Sequence, residues 1–429
     1  MKQRFETLSI HGGHTPDPVT HARAVPLHRS TSFTFKDTRH AADVFALREP
    51  GFLYTRLGNP TQEVLESRMT LLEGGAGSLA LASGTSAVFY AVINLAKNGD
   101  EIVAANNLYG GTYTMFDSIL PDFGIRTRLV KPGDLDAFAT AITPATRAIF
   151  IEAIGNPTLE VADIAAFADL AHAHNLPLIV DATFTTPYLL RPIDYGADIV
   201  VHSLTKWLGG HGTAIGGIVI DAGRFDWKDK GFALYDEPDA SYHGMRWGHD
   251  LPEGLPYISR MRTVPLRNLG ACIAPDNAWM FLQGIETLAL RMDRHCSNAL
   301  RVAEFLSGHP KVGWVRYPGL ESDPGHQLAK RYLPKGCGGM VVFGLASSVE
   351  GGGKEGGRRF VEQLGLFSHL ANVGDARSLV LHPASTTHSQ MSNRQQEEAG
   401  LKPELIRLSI GLEHPDDILE DLEQALGAV

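Results

Sequence analysis

Apolar residues fall at helical spacing over residues 61–72, at Val64, Leu65, Met69 and Leu72, and Gly74-Gly75 ends the run. Residues 78–82 form a short apolar run, and Ser83-Gly84-Thr85 opens a second helix. Further apolar runs stand at 101–105, 148–152, 178–181, 197–201 and 218–220, with helical stretches between them. Strands that are apolar throughout are covered on both faces, so the pattern predicts a mostly parallel sheet layered with helices. A long helix is predicted over 277–305. From residue 330 strands and helices alternate again, ending in an amphipathic helix over 416–426.

The first 60 residues have little periodicity and many His, Pro, Thr and Arg. They read either as a surface tail or as an arm lying on another subunit. Three parts follow from this: an arm over 1–60, a large domain over 61–278 and a C-terminal α/β domain over 279–429. Residues 222–278, rich in Tyr, Trp, Gly and Pro, read as an unusually long irregular segment, which is often functional. The glycine-rich stretch 350–357 reads as a surface turn without chemistry.

Charge narrows the partners. Lys and Arg number 38 against 48 Asp and Glu, a net charge of −10, so no basic footprint for nucleic acid exists. No apolar run approaches the ~20 residues that span a bilayer, and the first residues lack the apolar core of a signal peptide. The three cysteines Cys272, Cys296 and Cys337 make no disulfide framework. A reducing, cytoplasmic setting is expected.

Ligands of a parallel sheet bind beyond the carboxyl ends of its strands, so chemistry is sought there. Asp181 ends an apolar strand, where a carboxylate is costly without a partner. Taken alone it reads as a helix cap. Lys206 follows 25 residues later, in Ser203-Leu204-Thr205-Lys206, ahead of Gly209-Gly210. Two hydroxyls and glycine-exposed backbone N–H groups suit a phosphate. Asp, strand, then Ser-x-Thr-Lys is what pyridoxal phosphate needs: the lysine forms a Schiff base, the carboxylate holds the pyridinium proton, and the hydroxyls take the phosphate. Ser83-Gly84-Thr85 offers a second phosphate cradle or a plain helix cap. Tyr109, in a Gly-rich loop, suits either stacking on a flat ring or a surface position. No dinucleotide, P-loop, zincin or nucleophile-elbow motif occurs, and the 18 His lack metal-ligand spacing, so no metal is expected.

At these residues the chain resembles the Cys/Met-metabolism class of pyridoxal-phosphate enzymes, of the aspartate-aminotransferase fold (fold type I), over nearly its whole length. The most specific segment is Asp194-Tyr195-Gly196-Ala197-Asp198-Ile199-Val200-Val201-His202-Ser203-Leu204-Thr205-Lys206-Trp207-Leu208-Gly209-Gly210-His211-Gly212. The resemblance implies that Lys206 carries the cofactor and shuttles protons, and that Asp181 partners the pyridine nitrogen. Ser203, Thr205, Gly84, Thr85 and Thr183 would complete cofactor binding, with Tyr109 stacked on the ring and assisting catalysis. Tyr54 and Arg56, in Tyr54-Thr55-Arg56-Leu57-Gly58-Asn59-Pro60-Thr61, would reach the phosphate of a neighbouring subunit, so the arm would complete a site in trans. Asn156 and Arg407 would hold the substrate α-carboxylate, with a backbone contact from Ser378. One departure stands out: the family's usual Asp-Asn-Thr is here Asp181-Ala182-Thr183.

Glu237-Pro238-Asp239-Ala240-Ser241-Tyr242-His243-Gly244 and Leu381-His382-Pro383-Ala384-Ser385-Thr386-Thr387-His388-Ser389-Gln390 resemble the O-acetylhomoserine sulfhydrylase branch. Gly111 stands where methionine γ-lyases tend to carry Cys. The implied activity is γ-replacement on O-acetylhomoserine by sulfide or methanethiol, giving homocysteine or methionine and acetate. The implied assembly is a homotetramer built from dimers. Cystathionine γ-synthase, O-succinylhomoserine sulfhydrylase and γ-lyase share the same cofactor residues and remain alternatives. A non-catalytic scaffold would show damage at Lys206, Asp181, Tyr109 or Arg407, and all four are intact.

Overall fold

The structure, a computed structural model, describes residues 3–349, 352–386 and 402–429. Glu350 and Gly351 of the glycine-rich stretch, and Thr387 to Gln390 of the branch-like segment, lie outside the described residues.

Seven strands form the first sheet: β1 (Gly77–Leu81), β2 (Glu101–Ala105), β3 (Arg126–Val130), β4 (Thr146–Glu152), β5 (Leu178–Asp181), β6 (Ile199–Ser203) and β7 (Gly217–Asp221). Their order is β1-β7-β6-β5-β4-β2-β3. Only β7 runs against its neighbours β1 and β6; all other pairs are parallel. The central strands are buried over nearly their whole length, because helices cover both faces. The edge strand β3 went unread in the sequence. Its Arg126 and Arg128 alternate outward, and Arg128 pairs with Glu101 of β2 at 2.8 Å. Charged side chains of this kind protect an edge from unwanted pairing and remove the apolar signal.

Five strands form the second sheet: β8 (Val312–Arg316), β9 (Met340–Leu345), β10 (Ser368–His369), β11 (Leu379–Leu381) and β12 (Leu405–Ser409), in the order β10-β11-β12-β9-β8. The helix expected over 277–305 is two helices, Pro275–Glu286 and Leu288–Gly308, broken at Thr287. Arg291 explains the break. Its guanidinium draws the Gly284 carbonyl out at 2.6 Å and also takes the carbonyls of Trp207 (2.6 Å) and Leu208 (3.2 Å). The second helix serves both cores. Leu288, Ala289, Met292 and Cys296 pack with the large sheet, whereas Ala299, Val302, Ala303 and Leu306 pack with the small one.

The first 60 residues hold helices at Phe5–His11 and Thr38–Phe45. The first is anchored: the Phe5 ring lies 5.1 Å from that of Tyr188, and buried Arg68 donates to the Gly12 carbonyl at 3.0 Å. Residues 222–278 are less irregular than expected. Trp227 stacks between Tyr235 (4.5 Å) and Tyr257 (5.3 Å), and this aromatic core gathers several short helices. Within the glycine-rich stretch a helix runs Gly352–Gln363, with Gly353 off helical angles (φ 59°, ψ −127°).

Candidate active site

Because β1, β2, β4, β5 and β6 all run the same way, the residues after them meet at one edge of the sheet. Gly84, Tyr109, Glu152, Asn156, Asp181 and Ser203 to Lys206 all stand there.

The phosphate cradle forms where Gly84 begins the helix Gly84–Ile93, capped by Ser83, whose hydroxyl accepts the Ser86 N–H at 3.0 Å. The N–H groups of Gly84 and Thr85 belong to the first turn and have no carbonyl partner within the helix. A Cβ on Gly84 would stand 2.9 Å from the Ser203 hydroxyl and 2.6 Å from its Cβ. Glycine therefore lets the helix end press against Ser203, and N–H groups, helix dipole and hydroxyl converge on one anion-sized place. Thr205 closes the same loop, its hydroxyl accepting the Gly216 N–H at 3.1 Å.

Asp181 and Glu152 are register partners across β5 and β4, so two buried carboxyls stand side by side. Burial raises both. Glu152 is pushed well above the carboxylate range, first by burial and then by the charge of Asp181. Asp181 is raised by burial but held back by hydrogen bonds from Thr183, backbone and hydroxyl, and by the nearby His202. Glu152 is pushed further up than Asp181, so Asp181 is the more readily ionised of the two and the one suited to pair with a pyridinium. Thr183 serves twice, its oxygen also accepting the Ser203 N–H at 2.9 Å. Ala182 is fully buried in the core.

The Lys206 amine donates to Asn372 Oδ1 at 2.5 Å. Burial, then the Arg407 charge, lowers it from 10.5 to about 8. Arg407 on β12 donates to Asn156 Oδ1 at 3.2 Å, and burial lowers its guanidinium to about 10. These contacts join the two sheets around one amine and one carboxylate-shaped fork. Tyr109 is half-exposed, its N–H donating to Glu152 Oε1 at 2.6 Å. Its ring needs Gly111, where a Cβ would stand 2.6 Å from Tyr109 Cε1.

Three expected residues stand apart. Ser378 is fully buried. Its N–H and hydroxyl both donate to Glu413, at 2.6 and 2.9 Å, and its carbonyl accepts the Ser368 N–H, so its backbone is already engaged. Tyr54 and Arg56 form a cation–π pair at 5.1 Å, and among the described residues no hydrogen bond or ion pair joins them to Lys206, Ser203 or Thr205 of their own chain. Arg262 secures their loop by donating to the Leu57 carbonyl at 2.6 Å and pairing with Glu66 at 2.5 Å. Sequence reasoning missed Asn372 and Glu152 as site residues. Glu152 carried the same signal as Asp181, a carboxylate ending an apolar strand, whereas Asn372 carried none. Among the described residues, Asp229, Asp236 and His249 are grouped closely enough for one ion, but Arg246 already supplies a cation there, donating to His249 at 3.1 Å.

The site fits pyridoxal phosphate: a buried amine of lowered basicity, a buried carboxyl, a helix-end cradle at Gly84 and a half-exposed aromatic ring stand at one sheet edge. The sequence profile of the Cys/Met metabolism PLP-dependent enzymes matches residues 6–427. The chain is 51% identical to O-acetyl-L-homoserine sulfhydrylase of Leptospira meyeri, over 98% of this chain and 96% of that one. It is 48% identical to homocysteine synthase of Schizosaccharomyces pombe, over 99% and 98%. An O-acetylhomoserine (thiol)-lyase from Campylobacter jejuni, solved with N'-pyridoxyl-lysine-5'-monophosphate, superposes with a TM-score of 0.94 at 41% identity, covering 99% of this chain and all of the other. Cystathionine gamma-lyase from Lactobacillus plantarum, solved with L-serine, gives 0.84 at 34% identity, covering all of this chain and 99% of the other. Profile, relatives and fold agree that the chain belongs to the Cys/Met metabolism family of PLP-dependent enzymes, of fold type I.

Proposed function

We propose that the protein replaces the γ-acetoxy group of O-acetyl-L-homoserine with sulfide or methanethiol, releasing acetate and giving homocysteine or methionine. The observation that carries this reading is the meeting of the Lys206 amine with the Arg407–Asn156 pair, a proton-transfer group beside a carboxylate fork. Arg407 and Asn156 hold the substrate α-carboxylate through a planar fork, which fixes Cα, Cβ and Cγ relative to Lys206. With a basicity near 8, Lys206 takes a proton from Cα and then one from Cβ as acetate leaves Cγ, and returns protons to Cβ and Cα once the thiol has added at Cγ. Ser203, Thr205 and the N–H groups of Gly84 and Thr85 hold the cofactor phosphate, Thr183 steadies Asp181, and Tyr109 covers the ring. Bound pyridoxal phosphate supplies a cationic aromatic ring that draws electron density from Cα.

Tyr54 and Arg56 are proposed to reach the phosphate of a second copy, which requires at least a dimer; a tetramer of two dimers is the assembly we infer. That, among the described residues, neither bonds to Lys206, Ser203 or Thr205 of its own chain supports this. Ser378 supports the carboxylate site only through Glu413 and the Gly411 N–H that its hydroxyl accepts at 2.9 Å. A cytoplasmic setting accords with three unpaired cysteines.

The test is a panel of O-acetyl- and O-succinyl-homoserine, each with and without sulfide, reading acetate or succinate release. Acetate release that depends on sulfide is expected. Succinate release, or ammonia production without sulfide, overturns the assignment. Lys206→Ala protein that kept the absorbance of lysine-linked cofactor would remove Lys206 from its role.

A further inference from the structure

The Glu152 carboxyl lies at the meeting of three strands. Its own strand β4 stands between β2 and β5. Its Oε1 accepts the Tyr109 N–H at 2.6 Å, from the loop after β2. The backbone N–H of Asn156, from the loop after β4, lies close enough to the same carboxyl to favour its charged form. Asp181 of β5 is its register partner. Tyr109 and Asn156 otherwise belong to separate loops, and Asn156 passes its position on to Arg407. A buried carboxyl beside a second carboxylate is costly, and a fold retains it only where its hydrogen bonds are needed.

We propose that Glu152 is a positioning residue that fixes Tyr109 and Asn156 relative to each other, and so sets the distance between the cofactor-facing ring and the substrate-carboxylate fork. The inference deepens the functional reading above and rests on its roles for Tyr109 and Asn156. Glu152 touches neither substrate nor cofactor. It acts by holding two loops in one frame, and a displacement of an ångström between such groups is worth about 100-fold in rate. Glutamine is the close mimic, keeping an oxygen where the Tyr109 N–H points without a charge. Aspartate keeps the carboxyl but withdraws it by one methylene.

The experiment compares Glu152→Gln, Glu152→Asp and Glu152→Ala in holoenzyme. Three quantities are read: KM and kcat for O-acetylhomoserine, the visible circular dichroism of bound cofactor, and the melting temperature. Alanine and aspartate are expected to raise KM about 10-fold or more and to change the visible dichroism, while glutamine restores both to within about 3-fold. If alanine lowers the melting temperature but leaves KM and dichroism at wild-type values, Glu152 is merely structural and the proposal is overturned. It is overturned equally if glutamine behaves like alanine. Should alanine not fold, the aspartate and glutamine pair decides alone. The dichroism needs no turnover, so a wild-type protein inactive on O-acetylhomoserine would sink the functional reading while Glu152 was still tested.

Discussion

Lys206 and Asn372, 166 residues apart, share one hydrogen bond of 2.5 Å that ties the amine of the large sheet to the C-terminal part of the chain. The amide oxygen orients the lysine without charging its surroundings. Asn372→Ala is expected to lower kcat about 10-fold, the worth of one hydrogen bond of about 1.4 kcal/mol, with little change in KM. Steady-state acetate release, normalised to bound cofactor, measures it. An unchanged kcat would show that Lys206 is held by packing alone.

The lowered basicity of Lys206 also has a sign in stability. Folding moves its amine from 10.5 to about 8, through burial first and Arg407 second. Below pH 8 both folded and unfolded apoprotein hold the proton, and the folded state bears the whole penalty. Between 8 and 10.5 only the unfolded chain keeps it, so the penalty fades as pH rises. Lys206→Met apoprotein is therefore expected to be more stable than wild type at pH 7, by at most about 3 kcal/mol, and equal to it near pH 10.5. Thermal unfolding across that range reads the difference.

Legibility followed apolar density and local motif. The interior strands β2, β5 and β7 are apolar but for an acidic end residue, so they lie within a residue or two of their expected bounds. Lys206 and Asp181 could be read because both sit next to such strands with a telling neighbour. The edge strand β3 was lost because arginines occupy its outward positions. The helix break at Thr287 was lost because its cause, Arg291 reaching the carbonyls of Trp207 and Leu208, spans more than 80 residues. Asn372 was invisible for the same reason. The anchoring of Phe5–His11 depends on Arg68 and Tyr188, which no local pattern connects to it.

Arg407 should resist its conservative replacement. Its fork presents two parallel donors to a carboxylate, while a lysine offers one mobile point charge. Arg407→Lys is expected to raise KM for O-acetylhomoserine at least 10-fold and to leave cofactor absorbance intact. A KM within twofold of wild type would show that the α-carboxylate binds elsewhere.

Gly111 sets the Tyr109 ring. A methyl group there would stand 2.6 Å from Cε1, closer than carbon atoms pack, so the ring must turn. Gly111→Ala is expected to cut kcat/KM about 10-fold or more and to alter the visible dichroism, with a stability loss under about 1 kcal/mol because the loop is half-exposed. An unaltered dichroism would show that the ring does not face the cofactor.

Glu73 and His202 form a fully buried pair at 2.5 Å. Among the described residues Glu73 Oε2 and His202 Nδ1 have no further partner, so the pair is incompletely satisfied. Removing one partner strands a buried polar group: Glu73→Leu is expected to cost about 3 kcal/mol or more. The double variant Glu73→Leu/His202→Leu strands nothing, and should recover most of that loss in urea unfolding. Recovery of stability need not restore the site. His202 is one of the groups that hold the Asp181 carboxyl down. The stable double variant should therefore bind pyridoxal phosphate more weakly than wild type. If it matches wild type in both stability and cofactor affinity, the pair has no part in the site; if it is stable yet binds poorly, an expensive buried pair persists because Asp181 depends on it.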